Sequence, residues 1–138
     1  MAGRVLSTSA VMFHTALAER QGLGVTEEKA LELLQRLGPM TAGELGAHAG
    51  LAPASVTGLI DRLEKKGFAR RAKDEADGRR VLVHLHLEKL AAFAPLFTEF
   101  MQDMDALYAR YTVTELETIL GFLREAAAPA TPRSGPAI

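Results

Sequence analysis

The sequence contains no cysteine and no tryptophan, and aromatic residues make up only 6% of it. A chain without cysteine cannot form a disulfide, a thiolate zinc site or a thiol redox switch, which fits a reducing compartment. No apolar run approaches the roughly 20 residues that span a bilayer, and the first residues lack the basic and apolar regions of a signal peptide. We therefore expect a cytoplasmic protein that does not bind membranes.

An excess of either charge is also lacking, because 16 Lys and Arg residues are balanced by 17 Asp and Glu residues. The basic residues are unevenly distributed, however, and half of them lie between residues 62 and 80. A charged run of this kind, taken alone, is more often a solvated surface than a binding site. It becomes a candidate nucleic-acid contact if the surrounding elements form a DNA-binding motif.

What the chain does have is 48% hydrophobic residues in regular patterns, enough to form one core. Val56, Leu59, Ile60 and Leu63 recur at helical spacing and must share a buried face. After Gly67 the pattern alternates with a period of two, which is typical of strands. In chain order, the patterns predict helices at about 4–21, 27–37, 42–49 and 53–66, strands at 68–73 and 81–87, and helices at about 88–110 and 114–127.

The expected ends of these elements follow from residues with special backbone chemistry. Gly22 and Gly50 suit left-handed helix stops, and Thr26 offers an N-cap. Pro95 predicts a bend or a late helix start, because proline cannot donate the helical hydrogen bond. Capping boxes, in which Thr accepts an amide three residues on and Glu reaches back, are predicted at Thr41 to Glu44 and at Thr114 to Glu117.

Two short helices joined near Gly50 and followed directly by a hairpin at Asp77-Gly78 have the order of a winged helix-turn-helix. In that motif the second helix enters the major groove, and the hairpin, or wing, lies beside it. An ordinary surface would also explain the residues, with Asp61 and Lys65 as an ion pair and Ser55 assisting the helix start. The candidate DNA-contacting residues are Ala54, Ser55, Thr57, Gly58, Arg62 and Lys65 on the helix, and Arg79 and Arg80 on the wing.

Residues 38–87 resemble the MarR family of transcriptional regulators. The resemblance lies in Pro39-Met40-Thr41, Glu44-Leu45, Gly50-Leu51, Val56-Thr57, Asp61 to Phe68, Arg71, Asp74 and Asp77-Gly78-Arg79-Arg80. It implies that Arg79 or Arg80 enters the minor groove and that Asp77 orients the wing. Three positions depart from the family pattern: Ala52 replaces the usual Ser or Thr before the recognition helix, Glu75 follows Asp74 where the family usually has a Pro near the wing turn, and Gly58 replaces a residue that is often basic.

The resemblance further implies a homodimer, repression at a pseudo-palindromic operator in duplex DNA, and scope for a small-molecule effector. The predicted fold is mainly α with a small β-hairpin wing. Residues 1–25 would form an N-terminal dimerisation helix, 26–87 the DNA-binding lobe, 88–127 the C-terminal dimerisation helices, and 128–138 a disordered tail. The apolar residues of the C-terminal helices that are expected to form the dimer interface are Leu90, Phe93, Leu96, Phe97, Phe100, Met101, Met104, Leu107, Tyr108, Leu116, Ile119, Leu120 and Leu123.

The sequence gives less support to other classes of function. No nucleophile, base and orienting group can be assembled, so we expect no enzyme and no cofactor. The four histidines, His14, His48, His84 and His86, lack the spacing of a metal site and are expected to be ordinary core or surface residues. The alternative function is a dimeric interaction protein that keeps this fold without binding DNA.

Overall fold

The computed structural model describes residues 1–128, so residues 129–138 of the predicted disordered tail lie outside the described part. The chain forms two compact units, one covering Met1–Leu96 and the other beginning at Phe97. The predicted class, mainly helical with a small sheet, is confirmed. The elements are α1 (Ala2–Gln21), α2 (Val25–Leu37), β1 (Met40–Thr41), α3 (Ala42–Ala49), α4 (Pro53–Lys65), β2 (Ala69–Lys73), β3 (Val81–Leu85), α5 (Leu87–Ala91), α6 (Pro95–Tyr108) and α7 (Val113–Ala127).

The core of the first unit lies between α2, α3, α4 and the sheet. Leu59, Ile60 and Leu63 of α4 are fully buried, and Val56 is 1% exposed. Burying an aliphatic side chain of this size contributes about 1.5 to 3 kcal/mol, so one face of α4 is firmly fixed. The opposite face of the same helix is left open.

The sheet contains a strand that the sequence patterns did not predict. Its order is β1-β3-β2, and β1 places Met40 opposite Val83 and Thr41 opposite Leu82. Two residues are too short to show a periodic pattern, and their pairing partner lies far along the chain. The predicted second strand is also shorter than expected, because α5 begins at Leu87, whose side chain is 73% exposed.

Several predicted helix ends are confirmed. Gly22 and Gly50 adopt left-handed conformations with φ of 70° and 69°. Thr41 Oγ1 accepts the Glu44 N–H at 3.2 Å, and Glu44 Oε2 accepts the Thr41 N–H at 2.9 Å. Pro95 begins α6, so the stretch predicted as one interrupted helix is two.

Two predicted N-caps are wrong. Helix α2 begins after Gly24, whose N–H donates to Glu27, and Thr26 lies inside the first turn. Helix α7 is capped by Thr112, which forms the reciprocal box with Glu115. The sequence offers two overlapping Thr-x-x-Glu boxes here, and the earlier one adds backbone hydrogen bonds such as Leu116 N–H to the Thr112 carbonyl.

Part of the apolar surface assigned to dimerisation belongs to the core of the first unit. Leu90 and Phe93 pack against that core, and the Phe93 ring stacks on Phe68 with centroids 5.7 Å apart. Leu90 lies in the short helix α5, and Phe93 follows just after it. In the second unit, by contrast, no residue of α6 or α7 is buried. Among residues 1–128, no helix is both long and apolar enough to cross a membrane.

Candidate nucleic-acid interface

Helices α3 and α4 approach each other closely at Gly46. A Cβ built on Gly46 would lie 2.7 Å from Val56 Cγ2 and 3.2 Å from the Leu51 carbonyl oxygen. The Leu51 N–H also donates to the Gly46 carbonyl at 2.9 Å and closes the turn. Position 46 therefore leaves no room for a side chain between the two helices, a constraint that hydrophobic periodicity does not reveal.

The open face of α4 carries the small polar residues predicted to meet DNA. Ala54, Ser55 and Thr57 are exposed, and Gly58 is half-buried. The Thr57 hydroxyl donates to the Pro53 carbonyl at 3.2 Å, so its oxygen remains as an acceptor toward a ligand. Lys65 is exposed at the other end of the helix, and the face is free for a partner.

Arg62, also predicted to meet DNA, is attached to a buried carboxylate. Its Nε donates to Glu27 Oε1 at 3.1 Å, and Lys66 Nζ donates to Glu27 Oε2 at 2.7 Å. Lys66 Nζ also donates to the Gly22 carbonyl at 3.0 Å. Burial alone would raise the pKa of Glu27, but the hydrogen bonds from Lys66, the Gly24 N–H and Arg62 hold this pKa below its ordinary value. Local sequence patterns do not reveal these contacts, since Arg62 and Lys66 lie far from Glu27 in the chain.

Arg71 of β2 ties the sheet to α4. Its guanidinium donates to Asp61 at 2.8 Å, to Glu64, and to the Thr57 carbonyl at 3.4 Å. Burial would lower the pKa of Arg71, but the hydrogen bonds with Asp61 and Glu64 raise it. Within the described chain, Asp61 therefore pairs with Arg71, and the alternative pairing with Lys65 is not formed.

The wing is the β2–β3 hairpin, and aspartates hold the backbone of its loop, residues 74–80. Asp77 Oδ1 accepts the Arg79 N–H at 3.0 Å, and Asp74 Oδ1 accepts the Ala76 N–H at 3.0 Å. The glycines with positive φ in residues 1–128 do not include Gly78, so the tip differs from a two-residue hairpin turn. Asp77 thus holds the backbone of the wing at Arg79 by a hydrogen bond.

The two arginines of the wing loop, residues 74–80, differ in their contacts. Arg80 Nη2 donates to Glu44 Oε1 at 3.0 Å, which attaches the wing to the start of α3. The pKa of Glu44 is lowered by the hydrogen bond from the Thr41 N–H and, to a lesser extent, by the charge of Arg80. Arg79 is exposed, and its side chain forms no ion pair with residues 1–128. Of these two arginines, Arg79 is the one free to meet a ligand.

The histidines are separated in the fold. His14 lies 3.4 Å from Glu28, and His84 lies opposite Arg70 in the sheet. No group of three or more His, Asp or Glu side chains in residues 1–128 is arranged to hold a metal ion.

Comparison with known proteins assigns this architecture to a family. Residues 23–81 match the model of the MarR family. The chain is 43% identical over 124 residues to the uncharacterized HTH-type transcriptional regulator YcgE of Bacillus subtilis, covering 90% of this chain and 80% of that protein.

Solved structures show the same fold. A MarR family transcriptional regulator from Silicibacter pomeroyi has a TM-score of 0.68 and 22% identity, covering 91% of this chain and 83% of that one. NadR in complex with 4-hydroxyphenylacetate has a TM-score of 0.67 and 23% identity, covering 94% of this chain and 92% of that one. YcgE and the Silicibacter pomeroyi protein are both named as transcriptional regulators. The chain belongs to the MarR family of HTH-type transcriptional regulators.

Proposed function

We propose that this regulator binds duplex DNA as a homodimer and represses transcription by covering a pseudo-palindromic operator. The observation that carries the proposal is the state of α4: its apolar face is completely buried, and its other face is open. The wing beside it presents Arg79 without an ion-pair partner in residues 1–128. A helix that packs one face in the core and exposes the opposite face is suited to insertion into the major groove.

The helix and the wing are assigned different tasks. Ser55 and Thr57, with Ala54 and Gly58 allowing close approach, would meet base edges and give sequence preference. Arg79 would enter the minor groove, where a narrow groove attracts cations, and Asp77 would set its direction. Arg62, Lys65 and Arg80 would add contacts to the backbone or the base edges.

Homodimer formation is supported by apolar side chains that one chain leaves uncovered. Phe122 is 68% exposed, and Leu120 and Leu123 are 45% and 47% exposed. Burying such surface is favourable by about 25 cal/mol per Å², and a second copy offers the matching surface by symmetry. We assign residues 1–25 and 88–127 to this interface, apart from Ala18, Leu23, Leu90 and Phe93, which pack in the core of the first unit. The exposed apolar residues of these helices are Val5, Leu6, Val11, Met12, Phe100, Met101, Leu107, Tyr108, Val113, Ile119, Leu120, Phe122 and Leu123.

We further propose that a small molecule releases the protein from DNA. A groove of about 540 Å³ lies between α1 and α2, and its lining includes Val11, His14, Val25 and Glu28. Its volume lies in the range of small-molecule sites, roughly 300 to 1,000 Å³. NadR, which has the same fold, binds 4-hydroxyphenylacetate. A ligand bound to α1 and α2 would alter the support of α4, because Glu27 of α2 bonds to Arg62.

The test is binding of the purified full chain to a duplex from its own upstream region and to a random duplex of equal length. We expect preferential binding to the upstream duplex, and a footprint with two-fold symmetry and half-sites about 10 base pairs apart, centre to centre. Ser55→Ala and Thr57→Ala should cost about 1 to 3 kcal/mol for each base contact removed on the operator, with little change on random DNA. A dimer that binds neither duplex would favour the interaction protein without DNA binding.

A further inference from the structure

The guanidinium of Arg62 lies beside Gly58 on the open side of α4. A Cβ built on Gly58 would be 3.5 Å from Arg62 Nη1. Helical side chains lean toward the N-terminus of their helix, which brings a residue over the position four earlier. Arg62 is also the first Lys or Arg along α4, since residues 53–61 contain neither. Its cation therefore lies next to a position that has no side chain of its own.

Glu27 holds this guanidinium by one of its nitrogens. Arg62 Nε donates to Glu27 Oε1 at 3.1 Å, and the Glu27 side chain is only 7% exposed. The other oxygen, Oε2, accepts from Lys66 Nζ at 2.7 Å and from the Gly24 N–H at 3.3 Å. The carboxylate is thus fixed by two elements, and its low pKa keeps it charged at neutral pH.

The remaining nitrogens of Arg62 are free to bind a ligand. Its side chain is 56% exposed, and within residues 1–128 its hydrogen bond is made by Nε, which leaves Nη1 and Nη2 available. Two parallel N–H donors match a pair of acceptors, either N7 and O6 of a guanine or two oxygens of a phosphate. An arginine anchored at Nε gives up less rotamer freedom on binding than an unanchored one.

We propose, on the basis of the DNA-binding function proposed above, that Glu27 is a positioning residue for operator binding. It aims the Arg62 guanidinium across Gly58 toward the duplex. Arg62 supplies the cationic contact that the recognition helix would otherwise lack in its first two turns.

The experiment compares wild-type protein with Arg62→Ala, Glu27→Gln, the double variant and Arg36→Gln, by fluorescence anisotropy on operator and random duplexes. Arg36→Gln is the matched control, because it removes a cation from the helix that carries Glu27, and Arg36 pairs with Glu32 instead of Glu27. Thermal melting of each variant sets a temperature at which all are folded. We expect operator binding to weaken about tenfold or more for Arg62→Ala and about threefold or more for Glu27→Gln. The double variant should bind no worse than Arg62→Ala, and Arg36→Gln should bind like wild type.

The outcomes separate the explanations. Weaker binding to the operator alone assigns the Arg62 contact to a guanine, and equal weakening on both duplexes assigns it to a phosphate; both support the proposal. If Glu27→Gln weakened DNA binding equally in the presence and absence of Arg62, Glu27 would act only through the stability of the fold. That result would overturn the proposal. So would wild-type affinity in Glu27→Gln or Arg62→Ala. Failure of the wild-type protein to bind any duplex would instead contradict the DNA-binding function itself.

Discussion

Arg80 Nη2 lies 3.0 Å from Glu44 Oε1, so the second arginine of the wing loop is bound to the helix that precedes the recognition helix. Both side chains are about half exposed, at 45% and 49%, and such a pair contributes little to stability. Its importance is geometric, because it connects the wing to α3 and leaves Arg79 as the free cation at the tip.

We predict that Arg79→Ala weakens binding to operator and random DNA alike. For each phosphate that the variant no longer neutralises, the salt dependence should flatten by roughly one log unit per log salt, counted once per subunit. Arg80→Ala should have the smaller effect, because the charge of Arg80 is already shared with Glu44. Titrations at several salt concentrations give both quantities. Arg36→Ala is the control, since Arg36 pairs with Glu32 within α2; wild-type affinity and salt slope in Arg79→Ala would refute the assignment.

The homodimer should depend on the exposed apolar side of α7. Ile119 and Leu123 lie one helical turn apart and are 39% and 47% exposed. Replacing both with Glu places charges in the proposed interface, and we expect light scattering to show a monomeric mass at micromolar concentration, together with the disappearance of operator binding. Arg124→Gln on the same helix should remain dimeric. A monomeric wild-type protein would contradict the dimer and with it the two-half-site operator.

Gly46 should be intolerant of even one added carbon. Gly46→Ala places a Cβ 2.7 Å from Val56 Cγ2, and overpacking of this kind costs about 1 to 3 kcal/mol. Gly43→Ala in the same helix, whose Cβ would be 3.9 Å from Thr41 Oγ1, should be neutral or stabilising by up to about 1 kcal/mol. Chemical denaturation measures both. If the two variants were equally stable, the close approach of α3 and α4 would not constrain this position.

The ionised Glu27 should make stability depend on pH in acid. The pKa of Glu27 in the folded chain lies below its ordinary value of 4.5, so its contribution is complete above that value and disappears as the pH falls through the folded pKa. Glu27→Gln should lower the free energy of unfolding by about 1 to 2 kcal/mol at neutral pH, a modest amount because Arg62 and Lys66 remain partly solvated. The difference between the two proteins should shrink as the pH falls below 4.5 and vanish once the pH is below the folded pKa of Glu27. A difference that stays constant with pH would mean that the charge of Glu27 contributes nothing.

Local chemistry in the sequence was enough to predict most helices and the order of the motif. The buried face of α4 follows from the spacing of Val56, Leu59, Ile60 and Leu63, because a helix repeats about every 3.6 residues. The ends at Gly22, Gly50, Thr41 and Pro95 depend on the conformation or hydrogen bonds of single residues, which their neighbours hardly change. The family resemblance likewise rested on residues close together in the chain.

Only the tertiary structure decided the contacts between distant residues. Local patterns carry no information on which carboxylate meets which cation, so Glu27 with Arg62 and Glu44 with Arg80 could not be foreseen, nor could the pairing of Met40 with Val83. The choice of Thr112 over Thr114 as the cap of α7 was equally open, since both have the same local signal. These pairings depend on which side chains the folded core brings within a few ångströms of each other. At the candidate interface, Arg62, Arg71 and Arg80 form ion pairs within residues 1–128, and Arg79 does not.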